Sequence, residues 1–322
     1  YNAIINWVKQ RYDLIVTKEV INFVPGIVPG IGMAMNCFTQ KGDKVMIQPP
    51  VYHPFAWVTT RNERTLVINP LRWENGMYRM DLDAFREQIK GCKLFILCNP
   101  HNPGGVVWTE AELRAIADIC YDEKVLVFSD EIHADLTLPP HTHRPFATVS
   151  EKARMNSVTF MSPSKAFNMP GLSASHALIF NEDLRKRFRI YMDAGELDMG
   201  HVFAFLSVEA AYSHGTEWLD QCLAYIQGNI DFVDEFLKKH APKIKAIRPE
   251  ASYLVWLDCR ELELSQKDLN EFFVDKAHLA LNDGEMFGKE GIGFMRLNVA
   301  SPRCIIEKAM KQLADAYQLY IK

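Results

Sequence analysis

One lysine stands where a reactive amine would be useful. Lys165 follows Ser162-Pro-Ser164, directly behind the apolar run 157–161, and precedes Asn168-Met-Pro-Gly171. A lysine taken out of water loses part of its preference for the charged form, and its amine can then condense with an aldehyde. Three other clusters come after apolar runs in the same way: Pro49-Pro-Val-Tyr52-His53, Asn99-Pro-His-Asn102-Pro-Gly-Gly105, and Ser129-Asp130-Glu131-Ile-His133. A fifth, Val24-Pro-Gly26-Ile27-Val28-Pro-Gly30, leads into a helical pattern. In open parallel sheets ligands sit at the carboxyl ends of the strands, so these five clusters share one edge.

Each cluster has a plain reading and a chemical one. Gly26 to Gly30 is either a simple loop or a source of free backbone N–H groups for a phosphate at a helix start. Its glycine spacing is not that of a dinucleotide fingerprint. Asp130, at the base of an apolar run, either joins a structural salt bridge or holds a proton on a heteroaromatic nitrogen. Tyr52 is a packed ring or a surface for a planar cofactor. Asn102 makes an Asx turn or donates to a phenolate oxygen. His133 is a satisfied histidine or a member of the same network. An aldehyde cofactor with a phosphate, a phenolate and a pyridine nitrogen would use all five clusters. Pyridoxal phosphate has those groups, and an aspartate-paired pyridinium makes it an electron sink.

The elements that must position these residues alternate. Strands are expected at 44–48, 65–69, 93–98, 124–128, 157–161 and 176–180, with helices at 2–11, 30–40, 53–62, 81–90 and from Thr109. Thr109-Glu-Ala-Glu112 is a capping sequence. Apolar strands alternating with helices predict an α/β fold with a mostly parallel sheet covered on both faces. The texture then changes to long helical patterns at 201–213 and 217–240, the second expected to cross between domains. Strands at 244–248, 253–258 and 293–297 and helices at 266–276 and 302–317 complete the chain. We therefore expect a larger cofactor-binding domain over 1–214 and a smaller α+β C-terminal domain over 215–322.

The remaining composition excludes whole classes of function. The 322 residues carry a net charge of −4 with scattered basic groups, which argues against a nucleic-acid partner. No apolar run approaches the roughly 20 residues of a membrane span. The N-terminus lacks the basic start and cleavage site of a signal peptide. Seven separated cysteines without a C-x-x-C pair predict reduced thiols in a cytoplasmic protein. His141 and His143 have no third partner nearby in sequence, so no metal site is expected.

The motifs also carry a resemblance. Asn99-Pro-His-Asn-Pro-Gly-Gly105 and Ser162-Pro-Ser-Lys165 resemble fold-type I, aspartate-aminotransferase-like pyridoxal phosphate enzymes. Ser129-Asp-Glu-Ile-His-Ala-Asp135, Ser164-Lys-Ala-Phe-Asn-Met-Pro-Gly-Leu172, Glu250-Ala-Ser-Tyr-Leu-Val-Trp-Leu-Asp258 and Gly284-Glu-Met-Phe-Gly288 more narrowly resemble the MalY/PatB-type cystathionine β-lyases, or C–S lyases. The likeness spans essentially the whole chain. It implies that Lys165 carries the cofactor as a Schiff base and serves as catalytic base. Asp130 would pair with the pyridine nitrogen, Asn102 with the ring oxygen, and Tyr52 would stack on the ring beside the substrate. Gly26, Ile27, Val28 and Ser162 would meet the phosphate, His133 would join the network, and Arg296 would grip the substrate α-carboxylate.

The implied activity is α,β-elimination from L-cystathionine or a similar cysteine S-conjugate, giving thiol, pyruvate and ammonia. An aminotransferase is the first alternative, and a cofactor-binding regulatory or interaction protein the second. A homodimer is implied, because the resembled fold builds each site from two chains. Two departures stand out. Ser173 occupies the place where typical aminotransferases carry a phosphate-binding arginine, which favours the lyase. The chain also begins after the family's N-terminal arm, so that arm is expected to be absent.

Overall fold

The computed structural model describes residues 1–320. A seven-stranded sheet holds the order Ile21–Val24, Ser175–Leu178, Ser157–Met161, Leu126–Asp130, Cys92–Cys98, Lys44–Ile47, Thr65–Ile68. The last five strands pair in parallel, and Ser175–Leu178 runs antiparallel to both of its neighbours. Parallel neighbours need crossovers, which Pro54–Arg61 and Glu110–Asp122 supply. The second of these starts at a complete capping box between Thr109 and Glu112.

Period-two alternation divides the strand side chains between two cores. Leu94, Ile96, Phe128 and Phe160 pack with Ile31, Met35 and Phe188 on one face. Phe95, Leu97 and Val127 pack with Ile116 and Cys120 on the other. Both faces are apolar, so the central strands read as nearly continuous hydrophobic runs.

A second, antiparallel sheet has the order Lys245–Ile247, Leu254–Asp258, Phe294–Asn298, Asn282–Asp283. Helices Gln266–Glu271 and Arg303–Tyr320 bury Leu269, Ile306, Met310 and Leu313 against its residues Val255, Leu257 and Met295. The hairpin Arg72–Glu74/Met77–Arg79 reaches this sheet through aromatic contacts. Trp256 stacks on Phe294 at 5.2 Å and donates its indole N–H to the Tyr78 hydroxyl at 3.2 Å. Among the described residues no helix is long and apolar enough to cross a membrane.

Several elements differ from the sequence expectation. The helix expected over 30–40 spans Ile27–Phe38. Pro29 falls in its first turn, where the missing N–H costs nothing because no helical partner exists there. The strand expected to stop at 128 runs on to Asp130, pairing Ser129 and Asp130 with Leu97 and Cys98. The helix expected over 266–276 is α-helical to Glu271 and closes with a π turn, Phe272–Lys276. The strands Ile21–Val24 and Asn282–Asp283, the hairpin at 72–79, and the helix Glu182–Asp193 were not expected.

Candidate active site

Lys165 sits in the turn that leaves the Ser157–Met161 strand. The turn is fixed from within. Ser162 Oγ accepts from the Ser164 N–H at 3.1 Å, lies 2.8 Å from Ser164 Oγ, and donates to the Ala174 carbonyl at 2.7 Å. Backbone bonds from Phe167 to Pro163 and from Met169 to Ser164 close the segment around the lysine. Lys165 itself is half-buried.

Asp130 ends the neighbouring strand and is 4% exposed. Its Oδ1 accepts from the Ile132 N–H at 3.1 Å. Burial drives its carboxyl up to about 7, and the nearby Glu131 charge adds to the rise, while the Ile132 N–H and Lys165 pull the other way. An isolated buried carboxylate is costly, so this group suits a cationic N–H partner. His133, also buried, is held down to about 3 by burial first and then by the charges of Lys165 and Arg296. Its Nδ1 has no hydrogen-bond partner among the described residues.

The loop between Cys98 and Trp108 places Asn102. Gly105 turns it with φ +68°, where a Cβ would lie 2.5 Å from Pro249. The Gly105 carbonyl accepts from the N–H groups of Glu250 and Ala251, tying the loop to the approach of the second sheet. Arg296 arrives from the Phe294–Asn298 strand. Its Nη1 donates to Asn102 Oδ1 at 2.8 Å, and its Nη2 donates to Asn282 Oδ1 at 2.8 Å. The guanidinium lies over the Phe287 ring at 4.7 Å, and its buried Nε has no partner among the described residues. Burial lowers its pKa to about 10, while the Tyr52 and Tyr253 hydroxyls oppose that shift.

These groups line one cleft of ≈ 440 Å³, within the range of small-molecule sites. Gly26, Ile27, Val28, Tyr52, Asn102, Asp130, His133, Lys165 and Arg296 all face it. Gly26 precedes the helix with φ 115°, and the helix start offers the N–H groups of Ile27 and Val28 together with its positive dipole end. Tyr52 is half-buried, its ring set edge-on to Phe55 at 5.8 Å. Burial raises its pKa, and the Asp130 charge adds to the rise.

Ser162 is the exception among the expected residues. It is 3% exposed and lies behind the cleft wall, its hydroxyl engaged by Ser164 and Ala174. Ser164 lines the cleft in its place, with Ser173 and Ser175 beside it. Tyr253 and Leu254 also line the cleft; their signal lay in the Glu250–Asp258 run. His143 pairs with Glu131 at 2.8 Å, and His141 lies 3.8 Å from Glu250. Among the described residues no group of three His, Cys, Asp or Glu side chains could hold a metal ion.

A pyridoxal phosphate-like group fits this donor set. The cleft offers an amine, a buried carboxylate short of partners, an amide, an aromatic ring and a helix start for a phosphate. His133 Nδ1 and Arg296 Nε, buried beside the cleft and without partners among the described residues, suit contact with the polar atoms of such a group.

Comparison with known proteins agrees. Residues 1–313 match the model of the aminotransferase class I and II family. Cystathionine beta-lyase PatB of Bacillus subtilis is 38% identical over 317 residues, covering 98% of this chain and 82% of that protein. The crystal structure of cystalysin from Treponema denticola, which contains a pyridoxal 5'-phosphate cofactor, matches with TM-score 0.97 and 34% identity, over 100% of this chain and 82% of that one. The PLP-bound C–S lyase of Staphylococcus hominis, in complex with L-cycloserine, gives TM-score 0.91 and 33% identity, over 98% and 78% of the two chains.

Proposed function

The chain belongs to the aminotransferase class I and II family, and within it we propose a pyridoxal phosphate-dependent C–S β-lyase. Its substrate is L-cystathionine or a similar cysteine S-conjugate, and its products are a thiol, pyruvate and ammonia. One observation carries the reading: Lys165, Asp130 and Arg296 converge on a single cleft, with an amine, a buried acid and a carboxylate-binding fork in reach of one amino acid. Ser173, standing where an aminotransferase would carry arginine, supports the lyase over a transaminase.

When bound, pyridoxal phosphate supplies a sink for negative charge developing at the substrate Cα. Lys165 would anchor it, Asp130 would keep a proton on its ring nitrogen, and Asn102 would hold its phenolic oxygen. Tyr52 would lie against the ring, with the N–H groups after Gly26, at Ile27 and Val28, receiving the phosphate. Ser162 would act indirectly, by fixing the turn that bears Ser164 and Lys165. Arg296 would bind the α-carboxylate as a planar fork and so orient the Cα–H bond. Lys165 Nζ, once free, would take the Cα proton as general base. The Cβ–S bond then breaks with its electron pair on sulfur, which leaves as a thiolate and is protonated. The three-carbon remainder takes up water and ends as pyruvate and ammonia.

We also assign residues 1–214 and 215–322 to separate domains, in line with the two sheets. The cytoplasm suits the free cysteines of the chain. A homodimer would cover the exposed Met199, Val202, Phe203, Phe205 and Leu206.

The test is an absorption spectrum of the cofactor-loaded protein, then addition of L-cystathionine with pyruvate and thiol recorded. Equal yields of pyruvate and thiol, abolished in Lys165→Ala, support the lyase. Amino transfer to a keto acid without pyruvate would make the protein an aminotransferase.

A further inference from the structure

The outer nitrogen of Arg296 is held by a residue with no counterpart among the sequence motifs. Asn282 is the Cα partner of Arg296 across the antiparallel ladder, so the two side chains share a face. Its Oδ1 accepts from Nη2 at 2.8 Å, while Asn102 Oδ1 accepts from Nη1 at the same distance. Two neutral amide oxygens therefore grip the two ends of the guanidinium. Among the described residues no aspartate or glutamate pairs with Arg296. A carboxylate at position 282 would hold the arginine more tightly but would cancel the charge that an anionic ligand needs.

The strand that presents Asn282 has two residues, Asn282–Asp283. Its neighbour Asp283 fixes it. Asp283 points to the opposite face and accepts from Gln266 Nε2 at 2.6 Å, Asn270 Nδ2 at 2.6 Å and the Glu285 N–H at 2.8 Å. Four residues further on, Phe287 lies against the guanidinium, 4.7 Å from its central carbon. The segment 282–287 thus fixes both the edge and the face of Arg296.

We infer that Asn282 is a positioning residue for substrate binding, orienting Arg296 toward an α-carboxylate while leaving its charge free. The inference rests on reading Arg296 as the carboxylate anchor. The experiment compares Asn282→Ala and Asn282→Asp with the wild type, all as cofactor-loaded enzyme. Each is titrated with L-methionine and with 3-(methylthio)propylamine, its counterpart lacking the carboxylate, by the change in cofactor absorbance. Melting temperature is recorded for every variant.

Asn282→Ala should bind L-methionine roughly tenfold more weakly, as expected for loss of one hydrogen bond to a charged group, with amine binding and melting unchanged. Asn282→Asp, which keeps an acceptor, should bind L-methionine more weakly than Asn282→Ala. Equal loss for both ligands, or full retention of L-methionine binding in both variants, would overturn the assignment. If the wild type binds L-methionine and shows this variant pattern but releases no pyruvate from L-cystathionine, the Asn282 assignment stands and the lyase reading fails.

Discussion

Asn102 and Arg296 are 194 positions apart in the chain and 2.8 Å apart in space, the arginine donating to the asparagine oxygen. This bond joins the loop after a strand of the first sheet to a strand of the second. It also fixes the polarity of the asparagine: with Oδ1 engaged, the amide N–H₂ remains for a ligand in the cleft. Asn102 therefore links the groups proposed for cofactor and substrate.

Replacing either member should affect both ligands. Arg296→Ala is expected to lower kcat/KM by about 30-fold or more, in keeping with a loss of about 2–5 kcal/mol for a buried charge partner. Arg296→Lys should not restore it, because a point charge cannot reproduce the fork. In a double-mutant cycle with Asn102→Ala, steady-state kinetics should show a coupling of about 1–2 kcal/mol. Strict additivity would contradict the link.

Asp130 should make the cofactor-free protein sensitive to pH. Its carboxyl rises from the ordinary 3.8 to about 7 in the fold, principally through burial. The folded state thus keeps a proton that the unfolded chain loses near pH 4. That stabilisation is present at low pH and is lost as pH rises toward 7, after which it stays lost. Asp130→Asn should be the more stable apoprotein at pH 8, by up to about 4 kcal/mol, with the difference vanishing near pH 4. Urea denaturation of both apoproteins at the two pH values measures this. The same variant should lose most of its lyase activity when loaded, because the amide cannot balance a ring cation.

Acid should act in the opposite direction through the histidines. His101, His133 and His176 are buried and each is held down to about 3, principally by burial. Below pH 6.5 the unfolded chain takes up protons that the folded chain refuses until about pH 3. Stability contributed by the neutral rings is therefore complete above the ordinary histidine pKa and drains away through that window. Each group adds up to about 1.4 kcal/mol per pH unit to the slope. His176→Gln, outside the cleft lining, should flatten the dependence of the urea midpoint between about pH 6 and 4. An unchanged slope would rule out its share.

The N-terminal helix is secured to the site segment by a buried acid. Asp135 Oδ1 accepts from the Trp7 indole N–H at 2.9 Å and from the Tyr12 hydroxyl. Burial raises the pKa of Asp135, and the two donors lower it in part. Tyr12→Phe should cost about 1.5–3 kcal/mol, since it strips a donor from a buried carboxylate. The loss should appear in the unfolding midpoint, with cofactor content at saturation unchanged.

The strand-end clusters were legible because parallel strands carry nearly unbroken apolar runs, and the residues just past each run must collect on one edge. Asp130 and Lys165 could be placed that way without knowing a single contact. Ser162 could not. Its position beside Lys165 does not reveal where the hydroxyl turns, and its carbonyl partner Ala174 lies 12 residues on. The helix Glu182–Asp193 escaped although Leu184, Phe188 and Met192 recur every four residues on its inner face, because charged residues fill most of its other positions. A further local signal was Asn181, whose side chain caps the Asp183 and Leu184 N–H groups ahead of an acidic first turn. Asn282 was hidden for a different reason: a two-residue strand has no pattern of its own, and its register is imposed by Asp283 and its three donors.

Lys165 follows a strand of the first sheet and Arg296 lies on a strand of the second, and the cleft lies between them. The separation of the two side chains is therefore set by how the sheets seat against each other, through contacts such as the Val51 N–H to Phe287 carbonyl bond of 2.9 Å. On the roles proposed for Lys165 and Arg296, the seating would work as a gauge. It would read the span from an amine to a carboxylate on the same carbon, which every α-amino acid shares, and leave the side chain beyond that span ungauged. Selection among thioethers would then fall to the rest of the cleft wall, which includes Tyr253 and Leu254. A change in the packing of the two sheets would alter which ligands reach the lysine without touching a reactive group.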